Sequence, residues 1–184
     1  LSWVEVLRRL KGSGLDGMPG GGAEIFDPEV RAKLCPQKIP SKAWLAVHRI
    51  AHGFGLKTNA TLLYGHIETA EHCVAHLLKL RELQDETKGF SAFVPLAYNP
   101  HDNALSGMKE TSGFLDLKML SISRLLLDNI PHIKAHGSAT DLKFIQSAIS
   151  FGVDDIGGTN LYERVLHEAG SRSPEGLSSG DLVR

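Results

Sequence analysis

A chain of 184 residues, 42% apolar and 22% charged, is long enough to bury one domain core and has the composition of a soluble globular protein. A net charge of -1 offers no electrostatic footprint for nucleic acid or an acidic membrane surface, and no run of about 18 apolar residues announces a transmembrane helix. The two cysteines, Cys35 and Cys73, are too few for a metal centre or an Fe–S cluster, and read as reduced cytoplasmic thiols.

The chain opens at Leu1, without a start methionine or a secretory signal, and reads as the back part of a longer protein. Trp3, Val6, Leu7 and Leu10 fall at helical spacing, and Gly12 and Gly14 end that helix. Leu15–Met18 is a short strand. Pro19-Gly20-Gly21-Gly22-Ala23-Glu24 follows as a very permissive loop. It is either a flexible turn or backbone drawn close to a ligand, with Glu24 projecting into the same space. No Gly-Lys-Ser/Thr follows, so it is not a Walker loop. Asp27-Pro28-Glu29 starts a short helix that stops before Pro36. Ser41 caps a second helix, with Trp44, Val47, Ile50, Ala51 and Phe54 turned inward.

Lys57 to Tyr64 is a strand of β-branched, aliphatic and aromatic residues that breaks at Gly65, and Thr69 caps the next helix. Strand, glycine turn, polar side chains and helix N-terminus are the parts from which α/β proteins build a site at the carboxyl ends of their strands. The alternative is an ordinary βα loop without chemistry. On that helix, which runs to about Thr87, His72 and His76 stand at the i,i+4 spacing of a metal pair, as do His48 and His52 earlier. No third ligand accompanies either pair, so both are read as solvated or edge-of-core histidines and no metal is assigned.

Phe90 to Pro100 is the next strand with its exit loop, with Pro95 expected at a bulge or a strand end. Tyr98, Asn99 and His101 would hang over its mouth, under a polar loop from Asp102 to Thr111. Phe114, Leu117, Leu120 and Leu127 mark a long helix on which Arg124 needs a partner, either a structural ion pair or a carboxylate held bidentately. A strand at Pro131–Ala135, a helix over Ala139–Ser150, a strand at Val153–Thr159 and a helix at Leu161–Ala169 complete residues 1–170. A Ser/Gly-rich tail, 171–184, is expected to fray. This alternation predicts a parallel sheet. Five strands cannot close a barrel of eight, so the fold expected is α/β: a partial parallel (β/α) barrel whose N-terminal strands are absent.

The run Thr61-x-Leu63-x-Gly65-x-x-Glu68 resembles the adenosine-contacting strand of radical S-adenosylmethionine enzymes, Gly-x-Ile-x-Gly-x-x-Glu, with Thr61 departing at the first position. Together with Leu80-Arg81-Glu82-Leu83-Gln84-Asp85-Glu86-Thr87 and the Pro-Gly-Gly-Gly-Ala-Glu run, it is similar to the aminofutalosine synthase family of the futalosine route to menaquinone. The resemblance spans roughly Gly14 to Gly170. It implies a cytoplasmic enzyme that joins the adenosyl radical from S-adenosyl-L-methionine to 3-[(1-carboxyvinyl)oxy]benzoate, giving 6-amino-6-deoxyfutalosine. It also implies a [4Fe–4S] cluster whose ligands lie outside this stretch, the N-terminal half of the barrel as partner, and an electron donor such as flavodoxin or ferredoxin.

On the resemblance, Thr61, Leu63 and Gly65 line the adenosine, and Gly20, Gly21, Gly22 and Glu24 form a wall near the ribose or substrate. Glu68 fixes the turn or contacts the nucleoside, His66 and Tyr64 handle a proton or touch substrate, and Arg124, Tyr98 and Asn99 contact substrate. The family continues Tyr-Trp after Lys134-Ala135, where this chain reads His136-Gly137-Ser138, which leaves the far side of the pocket open. Other readings stay in play. One is a related radical enzyme, the dehypoxanthine futalosine cyclase or the deazaflavin FO synthase subunit. The others are a non-catalytic nucleoside-binding module and a barrel enzyme using His66 and Glu68 as acid and base.

Overall fold

In the computed structural model, which describes residues 1–101, 105, 107–136, 142–157, 168, 178 and 180, helices and strands alternate along the chain. The order is α1 (Trp3–Gly12), β1 (Gly17–Met18), α2 (Pro28–Leu34), α3 (Ser41–Gly53), β2 (Lys57–Tyr64), α4 (Ala70–Thr87), β3 (Phe90–Ala97), α5 (Gly113–Leu126), β4 (His132–His136), α6 (Leu142–Ile149) and β5 (Asp155–Gly157). The strands form one sheet in chain order, every neighbouring pair parallel. The expected partial α/β barrel is thus what the described residues build: a half-barrel with five strands among them. The final helix at Leu161–Ala169, the tail 171–184, the Gly137–Thr140 departure and part of the polar loop after Asp102 lie outside the described residues.

Local chemistry sets the helix boundaries. Asp27 accepts from the amides of Glu29 and Val30 at 3.0 and 2.9 Å, and Pro28 takes the first turn of α2. Thr69 and His72 form a reciprocal capping box on α4, in which His72 Nδ1 accepts from the Thr69 amide at 3.1 Å. Ser41 differs from its expected role: Pro40 occupies the cap position, no side chain caps α3, and Ser41 is its first helical residue.

β2 alternates cleanly. Thr58, Ala60, Leu62 and Tyr64 are buried, while Asn59, Thr61 and Leu63 are only half-buried. Ala60, Leu62 and Tyr64 pack with Trp44, Leu77, Leu80 and Phe93 in the core between sheet and helices. The other three face the concave side. The irregularity in β3 falls early, where Thr58 pairs with Phe90 but Asn59 with Ala92, leaving Ser91 as the extra residue. Pro95 sits within the strand opposite Leu62 rather than at a bulge. It is accommodated because the β3–β4 ladder is confined to Ala92 and Phe93, so β3 is paired on one side only at that height.

Three of the four singled-out histidines are buried, against the expectation of solvated or edge-of-core pairs: His48 is 2%, His52 9% and His76 0% exposed. His76 stacks on Phe26 at 3.8 Å and His48 on Trp44 at 3.7 Å. The hydrogen bonds around Thr58 admit one arrangement. The Thr87 hydroxyl donates to Leu83 O at 2.7 Å, so it accepts from His52 Nδ1–H at 2.7 Å. His52 Nε2 then accepts from the Thr58 hydroxyl at 2.8 Å, and Thr58 accepts from His48 Nδ1–H at 2.9 Å. The relay requires the His52 ring neutral, because its Nε2 accepts. Burial lowers His48 to about 3, with His52 adding repulsion, and lowers His52 to about 4 and His76 to about 3.

A lowered histidine pKa means that the unfolded chain binds more protons than the folded one. The stability these rings contribute is therefore complete above about pH 6.5 and lost as pH falls towards 3–4. At pH 5 each neutral ring should cost about 2 kcal/mol of stability relative to pH 7.5. Urea unfolding at the two values should show a midpoint lowered in acid, and His48→Gln should lessen the difference. An unchanged midpoint would exclude the buried neutral rings.

Candidate functional site

The carboxyl end of β2 is organised by Glu68. Its carboxylate accepts from the Gly65 amide at 2.6 Å and the His66 amide at 2.8 Å, and its Oε2 lies 2.9 Å from His66 Nδ1. Cys73 Sγ stands 3.9 Å from the same group. Burial alone would raise this carboxyl, but the His66 ring beside it and hydrogen bonds from the Gly65 and His66 amides outweigh it and hold it at about 2. Gly65 turns the chain at φ +84°, and a Cβ there would fall 2.2 Å from Thr111 Cγ2, so only glycine fits both the conformation and the space.

The His66 side chain is wholly buried. Its Nε2–H donates to Leu63 O at 3.0 Å, and Nδ1 accepts from the Ile67 amide at 2.8 Å. The structure thus sets His66 within the frame of the turn, edge-on to the Tyr98 ring with centroids 6.0 Å apart. The Tyr98 amide donates to Tyr64 O at 2.7 Å, which lashes the exit of β3 to the end of β2. Asn99 Oδ1 accepts the His101 amide at 3.1 Å, shaping the loop beyond.

The Gly20–Glu24 loop lies along the edge of β2 that β1 leaves free. The Thr61 hydroxyl donates to Gly20 O at 2.7 Å, and the Leu63 amide donates to Glu24 O at 2.9 Å. A Cβ on Gly20 would fall 2.6 Å from Asn59 O, so this approach of backbone to backbone needs glycine. Glu24 adopts φ +47° and pairs with Lys38. The structure therefore brings Thr61, Leu63, Gly65, Gly20, Gly21, Gly22, Glu24 and Glu68 onto adjoining elements at one end of the half-barrel.

Two of the expected site residues stand apart from this group. The Tyr64 ring faces the helix layer, where its hydroxyl donates to Asp116 Oδ1 at 2.8 Å and burial pushes its pKa well above the ordinary tyrosine range. With Asp116, Leu120, Ala135, His136 and Phe144 it lines a pocket beneath α5 and α6. Arg124 sits at the opposite, N-terminal ends of β4 and β5. It pairs with Asp154 at 3.0 Å and donates to Gly152 O at 3.0 Å and Ile130 O at 3.4 Å. Sequence reasoning passed over Arg31 and Lys38. An arginine on a seven-residue helix directly after a glycine-rich loop was the signal for the first.

The chain's two thiols do not suit an iron–sulfur cluster. Cys35 and Cys73 are both buried and free, and burial pushes both up, Cys73 to about 12 with Glu68 adding repulsion. A cluster takes three or four thiolates.

Similarity to known proteins supplies the class of this parallel half-barrel: the chain corresponds to the C-terminal portion of a radical S-adenosylmethionine enzyme. Residues 87–177 match the family described as the CofH/MqnC C-terminal region. The chain is 49% identical over 188 residues to aminodeoxyfutalosine synthase of Thermus thermophilus, covering 100% of this chain and 50% of that protein. It is 41% identical over 180 residues to 5-amino-6-(D-ribitylamino)uracil–L-tyrosine 4-hydroxyphenyl transferase of Archaeoglobus fulgidus, covering 97% of this chain and 52% of that one. The chain thus spans about half the length of these curated relatives. Among solved structures, the FeFe-hydrogenase maturase HydG of Carboxydothermus hydrogenoformans shares the fold with a TM-score of 0.74 at 16% identity, over 98% of this chain and 43% of that one.

If Glu68 holds the turn as the geometry requires, Glu68→Gln should lower unfolding stability by about 1–3 kcal/mol, because one charged acceptor of two amides becomes a single neutral one. Urea denaturation at pH 7 measures this. Wild-type stability in that variant would show that the turn stands without the carboxylate.

Proposed function

We propose that this chain forms the adenosyl- and substrate-facing half of an aminodeoxyfutalosine synthase of menaquinone biosynthesis. The observation that carries the reading is the strip Thr61–Leu63–Gly65 on the concave face, walled on its free edge by the Gly20–Glu24 loop and closed at its end by the Glu68-held turn. The similarity to the Thermus protein along the whole chain supports it. S-Adenosylmethionine, cleaved reductively at a [4Fe–4S] cluster borne by the N-terminal half, supplies the adenosyl radical. An electron donor such as a flavodoxin or ferredoxin serves that half.

This chain's own contribution is binding and exclusion. Thr61 and Leu63 present a half-buried polar–apolar surface to the base and ribose, and Gly65 lets backbone approach the nucleoside without a side chain between. The Gly20–Glu24 wall adds backbone amides and the Glu24–Lys38 pair at its border. Tyr98 and Asn99 stand at the mouth, where 3-[(1-carboxyvinyl)oxy]benzoate would enter, and the burial of Tyr98 raises its phenol so that it stays neutral there. A half-barrel that closes against its partner also keeps water and stray hydrogen donors from a radical.

The likeness to the Archaeoglobus transferase supports a second reading, in which the same scaffold serves the union of tyrosine with a ribitylaminouracil. The chain, expressed with its cluster-bearing half, should turn over S-adenosylmethionine and the enolpyruvyl benzoate anaerobically to aminofutalosine and methionine, identified by mass. Product only from tyrosine and the ribitylaminouracil would transfer the assignment to the second reading. Cleavage of S-adenosylmethionine with neither acceptor consumed would remove both.

A further inference from the structure

We propose that Arg31 is a positioning residue of the adenosyl site, acting through the backbone of the Gly20–Ile25 loop. The inference rests on the reading of that loop as a wall of the nucleoside pocket. Arg31 is 5% exposed, yet its hydrogen-bond partners are all backbone carbonyls. Nε donates to Ile39 O at 2.9 Å, Nη1 to Ala23 O at 2.6 Å and Ile25 O at 3.1 Å, and Nη2 to Gly22 O at 2.8 Å and Ile39 O at 2.6 Å. A guanidinium has five N–H donors, and these five bonds can occupy them all. Burying such a cation is costly unless every donor is met.

The rest of the fold completes what Arg31 begins. Trp44 Nε1 donates to Gly21 O at 3.2 Å, Thr61 holds Gly20 O, and the Leu63 amide holds Glu24 O. Six consecutive carbonyls, Gly20 to Ile25, thus each have a donor, and Arg31 supplies three of them. Because a trans peptide is planar, drawing the carbonyls of Gly22, Ala23 and Ile25 towards Arg31 turns the amides of Ala23, Glu24 and Phe26 the other way. Three consecutive glycines would otherwise sample many conformations. Fixing Glu24 at φ +47° in particular needs surroundings that over-determine it. Arg31 therefore converts the most permissive stretch of the chain into a wall of fixed shape, without touching a ligand.

The test uses the complete cluster-loaded enzyme and follows reductive cleavage of S-adenosylmethionine by dithionite to 5′-deoxyadenosine, a readout that needs no second substrate. Arg31→Lys retains the charge and three donors but not the fork. It should raise the KM for S-adenosylmethionine about tenfold with kcat within about threefold and cluster content unchanged. Leu80→Ala, a cavity variant in the same core, is the control: it should lower the melting temperature without moving that KM. If Arg31→Lys fails to fold, Trp44→Phe keeps an aromatic ring there and removes one donor to the loop, and should raise the KM about threefold. A KM within twofold of wild type in whichever variant folds, or a rise matched by Leu80→Ala, overturns the proposal. Wild-type enzyme that cleaves S-adenosylmethionine but makes no aminofutalosine overturns the proposed function instead, and leaves the Arg31 comparison intact.

Discussion

The free edge of β2 is the constraint on which the site depends. β1 pairs with β2 only at Gly17–Lys57 and Met18–Thr58, yet β2 runs on to Tyr64. Its remaining backbone groups on that side lie in a protein interior, where unpaired amides and carbonyls are costly. The chain meets the requirement with unlike parts: Glu24 O takes the Leu63 amide, and His76 Nε2–H donates to Thr61 O at 2.9 Å. The loop that substitutes for a strand is itself satisfied by Arg31 and Trp44. Satisfying one strand edge thereby fixes the position of the glycine loop relative to Thr61 and Leu63.

The same demand explains the imidazoles of the helix layer. A parallel strand covered by helices usually presents an apolar run, but Thr58 puts a hydroxyl into that layer. His48 and His52 answer it from successive turns of α3, and Thr87 at the end of α4 completes the relay. Trp44, one turn before His48, stacks on its ring and also reaches Gly21 O. The buried polar network and the wall of the candidate site therefore share a residue. Disturbance in the helix layer has a direct route to the loop.

Much of this was legible in the residues. The alternation of strands and helices, the end of β2 at Gly65 and the caps at Asp27 and Thr69 follow from periodicity and propensity, which are local. The role of Glu68 as a clamp on its own turn was one of two options, and its three-residue separation from Gly65 is short enough to span. What escaped was non-local. Arg31 gave no periodic signal, because its partners are carbonyls eight and nine residues away, invisible in side-chain chemistry. For Arg124 the sequence allows a substrate contact or an ion pair, and only the fold shows which end of β4 it occupies. The histidines were misjudged because i,i+4 spacing says they share a face, not that a threonine on another element waits there.

On the proposed reading, what sets the choice of acceptor lies on the concave face beyond the turn. Thr61, Lys134 and Asp155 stand at comparable height across β2, β4 and β5, with Lys134 paired to Asp155 at 2.9 Å. One layer nearer the mouth come Leu63, Leu96, His136 and Gly157. The first layer joins the Thr61 hydroxyl and an internally neutralised ion pair to the Val94 side chain of β3, which stands beside Thr61. The upper layer joins aliphatic surface to an imidazole, where an aromatic acceptor of either proposed kind would lie. A single layer of three side chains and a glycine on a common frame is enough to redirect chemistry, because a hydrogen bond left unpaired in a closed pocket discriminates far more strongly than a missing methylene. On the proposed reading, specificity is a matter of the second layer, while the turn and the pinned loop would serve either acceptor.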